Sequence, residues 1–160
     1  MRKIKLFTDS SVNPQKKIGF GAFLEVSDEN LIFDVLRKNI KIKKFEDTSS
    51  TKLELETLIW ALDEISVIDE NSQIEVYTDC QNIISLQNRR EKFEINEYKN
   101  SSGKTINNYE LYKLFFEKTD EINIEFIKVK GHKKSSLKDE IDKVFNLVDR
   151  ASRNALREFF

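Results

Sequence analysis

Two aspartates stand directly behind apolar segments that alternate like β-strands. Asp9 follows Phe7-Thr8, and Asp79 follows Tyr77-Thr78. If the two strands are neighbours in an open α/β sheet, both carboxylates face the crevice beyond the strand ends, where such sheets place their ligands. Carboxylate oxygens gathered there would suit a divalent cation such as Mg²⁺. The simpler alternative is that each aspartate caps the element that follows it.

A third carboxylate is predicted on the helix that follows residues 48–51, a run of N-capping Ser and Thr residues. The apolar stripe of this helix consists of Leu55, Leu58, Ile59, Leu62 and Ile65. At roughly 100° per residue, Glu54 lies about 75° from the centre of the stripe and Glu56 about 125° from it. The helix therefore carries Glu54 at the border of its buried face and Glu56 towards solvent.

The last helix offers two candidates for a fourth carboxylate. Its apolar positions form one stripe from Ile141 to Phe159, and Asp149 lies about 80° from the centre of that stripe. Asp142 stands one heptad earlier, on a similar side of the helix. Both aspartates fit the border position.

These residues need a sheet to bring them together, and the hydrophobic pattern predicts the order βββ-α-β-α-α-β-α. The predicted strands are residues 3–8, 19–26, 31–42, 74–79 and 122–129. The predicted helices follow residues 48–51, begin near residue 81, and span residues 108–119 and 137–159, with a loop at 89–107. Trp60 is predicted to pack under the 108–119 helix. The fold class is therefore α/β, a mixed five-stranded sheet with three antiparallel strands, then parallel crossovers, and flanking helices, in one domain of residues 1–160.

Composition excludes several classes of protein. The chain has 160 residues, a formal net charge of −1, and only four Gly and one Pro, which excludes collagen-like and low-complexity chains. Its one cysteine, Cys80, cannot form an intrachain disulfide and indicates a reducing compartment. No apolar run approaches the roughly 20 residues that span a bilayer. We therefore expect a cytoplasmic protein with no membrane partner.

Two basic runs interrupt this neutral composition. Residues 129–138 hold four lysines and the only histidine, His132, and residues 37–44 hold five basic residues. Such runs are either solvated charged faces or contacts to phosphate.

Five motifs together resemble ribonuclease H of type 1 (RNase HI) over nearly the whole chain. The segments are Phe7 to Ser11 with Gly19-Phe20-Gly21-Ala22, then Thr51-Lys52-Leu53-Glu54-Leu55, Tyr77-Thr78-Asp79-Cys80-Gln81, Val129-Lys130-Gly131-His132 and Asn146-Leu147-Val148-Asp149-Arg150-Ala151. Each motif is weak alone, but all five occur in the right order on the right elements. The resemblance implies an RNase H-like fold and an endonuclease that cuts the RNA strand of RNA–DNA hybrids.

The resemblance also implies a catalytic set of Asp9, Glu54, Asp79 and Asp149 that holds two Mg²⁺ ions, with Mn²⁺ as a substitute. Oxygen ligands favour these cations, and a single cysteine excludes a thiolate zinc site. Asp9 is expected to bridge both ions, with Glu54 and Asp79 on one side and Asp149 on the other. Two ions about 3.5–4 Å apart would activate water and stabilise the leaving 3′-oxygen. Asp149 is preferred to Asp142 because Arg-Ala-Ser follows it.

His132 would assist proton transfer or product release, although a lone exposed histidine commonly has no such role.

An RNA–DNA hybrid presents 2′-hydroxyl groups across a shallow minor groove, where small polar side chains read them. The protein is expected to be a monomer. The positions that the resemblance implies for substrate binding are Ser11, Asn13, Ser49, Ser50, Thr51, Gln81, Asn108, Lys130, Lys133 and Lys134. Of these, Ser49 would hold a DNA-strand phosphate, and the lysines would contact phosphates. Helix capping is the alternative role of Ser49, Ser50 and Thr51.

The chain departs from the family pattern in three places. Ser10 stands where the family usually has Gly, the interval from His132 to Asp149 is longer, and a mixed-charge segment without Trp at 89–104 replaces the basic handle of some members. The last departure predicts weak hybrid binding or help from a partner. The competing interpretations are an RNase H-fold nuclease that acts on DNA and a catalytically inactive nucleic-acid-binding module.

Overall fold

The structure is a computed structural model that describes residues 2–27, 32–65, 71–130 and 139–160. Five strands form one sheet in the order β3-β2-β1-β4-β5. The strands are β1 (Arg2–Asn13), β2 (Ile18–Val26), β3 (Lys41–Glu46), β4 (Ser72–Thr78) and β5 (Asn123–Lys128). Strands β1, β2 and β3 pair antiparallel, whereas β1 with β4 and β4 with β5 pair parallel. The predicted mixed sheet is confirmed.

Helices cover both faces of this sheet. The helices are α1 (Phe33–Asn39), α2 (Ser50–Glu64), α3 (Gln81–Ile95), α4 (Tyr109–Asp120) and α5 (Glu140–Phe159). One core joins Ile4 and Leu6 of β1 to α2, α3 and α4. The other joins Phe7 of the same strand to α1 and α5. Consecutive residues of β1 thus pack into the cores on opposite faces of the sheet, because successive side chains of a strand alternate between its two faces.

The predicted third strand, residues 31–42, is wrong over most of its length. The structure has helix α1 at Phe33–Asn39, and β3 begins only at Lys41. Leu36 is the buried residue of α1 and packs in the core beside α5, while Arg37 and Asp34 form an i,i+3 ion pair on its surface. The basic run at 37–44 is therefore divided between the end of a helix and an edge strand.

The loop predicted at 89–107 is also wrong in its first part, because α3 continues to Ile95. Arg90 pairs with Glu94 one turn ahead and with Asp120 of α4. Phe93 stacks on Tyr98 and Tyr112. Charged residues that would leave an isolated helix marginal are thus paired across the fold.

Trp60, predicted to pack under the 108–119 helix, is partly buried against the core that includes residues of α4. Its indole ring meets Phe23 of β2 and Phe45 of β3 edge-on, with centroids 4.7 and 6.2 Å apart. Within the described residues, no helix is both long enough and apolar enough to cross a membrane.

Helix α2 approaches the sheet closely because β2 carries a glycine beneath it. A Cβ atom added to Gly21 would come within 2.9 Å of Thr57 Cγ2 and closer still to Thr57 Oγ1. We expect Gly21→Ala to lower the free energy of unfolding by about 1–3 kcal/mol, the usual cost of overpacking, as measured by urea denaturation. Adding Thr57→Ala should recover part of this loss. Strictly additive effects of the two substitutions would contradict this close approach.

Candidate metal centre

The strand ends predicted to present aspartates do so at one crevice. The pairing of β1 with β4 ends at Phe7 and Tyr77, and Asp9 lies two residues farther along β1. Asp79 directly follows β4. Beyond this point β1 remains paired only with β2, so a gap opens between β1 and β4. Asp9 is buried at this gap, with 4% of its surface exposed, and Asp79 is exposed at its rim.

Carboxylates from both layers reach this gap. Asp9 forms a side-chain hydrogen bond with Asp149 of α5, on one face of the sheet. The next residue, Ser10, donates its hydroxyl hydrogen to Oε1 of Glu54 on α2, at 2.6 Å. Because successive strand residues face opposite sides, the consecutive residues Asp9 and Ser10 of β1 contact acidic side chains of both layers.

Three of the carboxylates form a compact cluster. One oxygen each from Asp9, Glu54 and Asp79 lies within 4.8 Å of the others, and Asp149 adjoins the cluster through its bond to Asp9. Oε2 of Glu54 is buried and has no hydrogen-bond partner among the described residues. Such a buried, unpartnered oxygen is unfavourable unless a cation compensates it. The donor set, which consists of carboxylate oxygens, fits Mg²⁺ or Mn²⁺.

Burial and mutual repulsion raise the pKa values of carboxyl groups in the cluster. Burial, followed by the negative charge of Glu54, raises the pKa of Asp9 to about 10. Burial also raises the pKa of Glu54 to about 7, although the hydrogen bond from Ser10 lowers it in part. The side-chain hydrogen bond with Asp149 further raises the pKa of Asp9. Without a cation, the site therefore retains protons that free carboxyl groups would lose.

These raised pKa values predict a pH-dependent stability of the metal-free protein. Unfolded Asp and Glu titrate near pH 3.9 and 4.3, so above that range the folded state holds more protons than the unfolded state. The stabilisation is complete below about pH 4 and is lost as the pH rises, through about 7 for Glu54 and towards 10 for Asp9. The contribution of each retained proton is about 1.4 kcal/mol per pH unit.

Urea denaturation in EDTA between pH 5 and pH 8 measures this slope. We expect Glu54→Gln to remove part of it below pH 7, whereas Glu56→Gln, on the same helix outside the cluster, keeps it. If the free energy of unfolding of Glu54→Gln changed with pH as steeply as that of wild type, the raised pKa assigned to Glu54 would be contradicted.

The two aspartates that the sequence left in competition occupy different places. Asp142 lies in the first turn of α5, where its Oδ2 accepts a hydrogen bond from the backbone N–H of Asp139 and its own N–H donates to Oδ1 of Asp139. This reciprocal pair is a capping box. Asp149 lies two turns later, beside Asp9, and Nε of Arg153 pairs with its Oδ1 at 3.0 Å. The geometry thus separates a helix-capping aspartate from one at the acidic cluster.

The predicted substrate-binding residues of α2 lie at its N-terminus. Ser49 occupies the N-cap position, yet its side chain makes no capping hydrogen bond. Ser49, Ser50 and Thr51 are all exposed. The capping alternative for Ser49 is therefore not what the structure has, and three hydroxyl groups stand at a helix end whose dipole favours anions.

The other predicted positions are more dispersed. Ser11 shares a hydrogen bond with Ser152 at 3.1 Å, and Asn13 Oδ1 accepts from the N–H groups of Gln15 and Lys16. Gln81 is exposed beside Asp79, and Lys130 is exposed beyond β5. Asn108 lies at the N-cap position of α4 in a left-handed conformation, with φ of 65°. His132, Lys133 and Lys134 lie outside the described residues.

Three contacts at the site did not emerge from the sequence. In the sequence, Ser10 is only a departure from a family glycine, and its bond to Glu54 depends on how closely α2 lies to the sheet. Arg153 follows Asp149 at the i,i+4 spacing that often marks an ion pair, so the pattern alone could have indicated it. Lys128 donates to Oε1 of Gln81 at 2.6 Å, a contact between residues 47 positions apart that no local pattern reveals.

Fold and site together define a class, the α/β proteins with a carboxylate cluster suited to divalent cations where two parallel strands separate. The sequence pattern of the RNase H family matches residues 1–154. The chain belongs to the RNase H family, and the resemblance noted in the sequence is confirmed.

Several known proteins are similar to this chain. Ribonuclease H of Clostridium botulinum (strain Hall) is 31% identical over 150 residues, covering 91% of this chain and 95% of that protein. Ribonuclease H of Caldicellulosiruptor saccharolyticus is 27% identical over 160 residues, covering 99% of both chains. In fold, the chain is similar to LC9-RNase H1, described as a type 1 RNase H with the type 2 active-site motif. That match has a TM-score of 0.70 and 16% identity, and covers 96% of this chain and 72% of the other.

Proposed function

We propose that this protein is an endonuclease that hydrolyses the RNA strand of RNA–DNA hybrids with the help of divalent cations. The observation that carries the proposal is the cluster of Asp9, Glu54 and Asp79, with ligand oxygens within 4.8 Å of one another, in a chain of the RNase H family. The named relatives are ribonucleases H, which supports RNA in a hybrid as the substrate.

Asp9, Glu54, Asp79 and Asp149 are the residues proposed to hold two Mg²⁺ ions, for which Mn²⁺ would substitute. Bound divalent cations would supply charge neutralisation at the phosphate and a water molecule of lowered pKa. The protein contributes a rigid anionic pocket, because Asp9 is fixed within β1 and Glu54 within the first turns of α2. Burial of Asp9 excludes bulk solvent from the innermost ligand. His132 is proposed to assist proton transfer or product release.

Substrate recognition would begin at the exposed N-terminus of α2. Ser49 is proposed to hold a phosphate of the DNA strand, and Ser50 and Thr51 to meet 2′-hydroxyl groups of the RNA strand, together with Ser11, Asn13, Gln81 and Asn108. Lys130, Lys133 and Lys134 would contact phosphates without reading sequence. These contacts depend on sugar and backbone, so cleavage should show little sequence preference.

In the segment 89–104, which replaces the basic handle of some family members, the two arginines are already held by other side chains. The guanidinium of Arg90 bonds both carboxylate oxygens of Asp120 and also Glu94. Arg89 bonds Asn82 and lies over the ring of Phe93. Arginines held in this way release few counterions from a duplex, so we propose modest hybrid affinity with a shallow salt dependence.

One gel tests the proposed function. A labelled strand is supplied as single-stranded RNA, RNA duplex, DNA duplex or RNA–DNA hybrid, each with Mg²⁺, Mn²⁺ or EDTA. We expect cleavage of the RNA strand of the hybrid alone, abolished by EDTA. Cleavage of DNA would indicate the alternative nuclease, and cleavage of nothing in either metal would indicate a binding module. We also propose that residues 1–160 act as one domain and as a cytoplasmic monomer, whose oligomeric state size-exclusion chromatography measures.

A further inference from the structure

Ser10 lies inside the acidic site, yet it carries no charge of its own. Its hydroxyl donates to Oε1 of Glu54 at 2.6 Å, whereas Oε2 of the same carboxylate is buried and has no hydrogen-bond partner among the described residues. The two oxygens of Glu54 therefore have different surroundings. Oε1 is held by the protein, and Oε2 is left without a hydrogen bond from the described residues, in a carboxylate that belongs to the cluster with Asp9 and Asp79.

We propose that Ser10 is a positioning residue that fixes the carboxylate of Glu54 and thereby reserves its second oxygen for a divalent cation. The inference rests on the proposed metal-dependent function and goes beyond it by assigning a role to a residue that is not itself a ligand. Outer hydrogen bonds of this kind orient ligands and strengthen metal binding, and their loss commonly weakens affinity by about 10–100-fold.

The backbone delivers the two side chains to this contact. Ser10 pairs with Gly21 in the β1–β2 register, and the absence of a side chain at Gly21 leaves room for Thr57 of α2. Glu54 precedes Thr57 by almost one helical turn, so it lies on the same face of α2. The close approach of helix to sheet thus brings Glu54 over Ser10.

Backbone placement alone does not orient the carboxylate. A glutamate side chain has several rotatable bonds and loses their freedom when it is fixed. The hydroxyl of Ser10 selects one arrangement before a cation arrives. Binding then requires less reordering of Glu54, which predicts tighter metal binding than in a variant that lacks the hydroxyl.

A matched hydrogen bond on the same helix serves as the control. Thr48 Oγ1 donates to Oε1 of Glu56 at 2.6 Å, the same type and length of contact as that between Ser10 and Glu54. Glu56 does not belong to the acidic cluster. Thr48→Val therefore removes an equivalent bond from α2 without touching the proposed ligands.

The experiment measures Mn²⁺ binding to the whole chain by isothermal titration calorimetry, without nucleic acid. We expect Ser10→Ala to bind Mn²⁺ about 10-fold more weakly than wild type, Ser10→Thr to retain most of the affinity because it keeps a hydroxyl, and Thr48→Val to match wild type. Urea denaturation confirms that each variant is folded. Ser10→Cys, which keeps the shape but offers only a weak donor, replaces Ser10→Ala if the latter does not fold.

Kinetics supply a second readout. At limiting Mg²⁺, Ser10→Ala should lower kcat for hybrid cleavage and leave the KM for the hybrid unchanged, and excess Mg²⁺ should restore most of the rate. Equal Mn²⁺ affinity in wild type and Ser10→Ala would overturn the Ser10 role even if hybrids are cleaved. If Mn²⁺ binding depends on Ser10 but wild type leaves hybrids intact, the role of Ser10 stands and the proposed substrate is wrong.

Discussion

Replacing Asp9 by Asn is expected to lower hybrid cleavage by at least about 10³-fold while leaving the fold intact. Asn is isosteric with Asp but offers a neutral amide oxygen, so the innermost position of the cluster loses its charge. Asp9 is the most buried of the three clustered carboxylates and the one in contact with Asp149, so it connects the residues of both layers. Loss of a charge that stabilises the transition state commonly costs several kcal/mol.

The same substitution should stabilise the metal-free protein, which distinguishes a functional from a structural role. Burial and the charge of Glu54 raise the pKa of Asp9 to about 10, so an ionised Asp9 is unfavourable at neutral pH, and Asn removes that penalty. Single-turnover cleavage with saturating Mg²⁺ and urea denaturation in EDTA at pH 8 measure the two effects. Glu56→Gln is the control for both. Substantial metal-dependent cleavage by Asp9→Asn would rule out the proposed site.

The sheet could be predicted because its signals are local. Strands β1, β2, β4 and β5 alternate or are apolar over short stretches, and turns or helices separate them clearly. The sequence does not predict helix α1 because its helical state depends on Leu36, whose buried partners belong to α5 and to strands β1 and β2 on the same face of the sheet. A single buried position provides no periodicity, and only the assembled core shows that residues 33–39 are helical.

Helix α3 shows how distant partners override a local pattern. Residues after position 88 are mostly charged, and in sequence they predict a solvated loop. In the structure Arg90 bonds Asp120, 30 residues away, and Phe93 stacks on Tyr112 at 5.2 Å. Both contacts require that α4 already lies beside α3, and a window of neighbouring residues cannot contain that information.

In the candidate site, too, local sequence patterns predict some residues, whereas other contacts depend on how the layers pack. Strand ends and helical angles were sufficient to select Asp9, Glu54 and Asp79, which the structure brings together. The contact of Ser10 with Glu54 depends on the distance between α2 and β2, which Gly21 sets. A distance between layers has no signature in the order of residues, so the sequence identified Ser10 only as an unusual residue.

Asp149 and Asp142 are expected to respond very differently to substitution. Seven residues of α-helix separate them by about 10 Å along the axis, so the two cannot both lie beside Asp9. Asp149→Asn removes a charge next to Asp9 and should lower hybrid cleavage by about 10²-fold or more. Asp142 belongs to the capping box of α5, and Asp142→Asn keeps an oxygen that accepts the hydrogen bond from Asp139.

Cleavage rates at saturating Mg²⁺ for the two Asn variants measure this contrast directly. Asp142→Asn should stay within about threefold of wild type, whereas Asp142→Ala should lower the free energy of unfolding by about 1 kcal/mol because Asp139 N–H loses its bond to Oδ2 of residue 142. The comparison is well matched, because both variants change an aspartate of the same helix by the same atom. If Asp142→Asn loses cleavage and Asp149→Asn keeps it, the fourth carboxylate has been assigned to the wrong turn of α5.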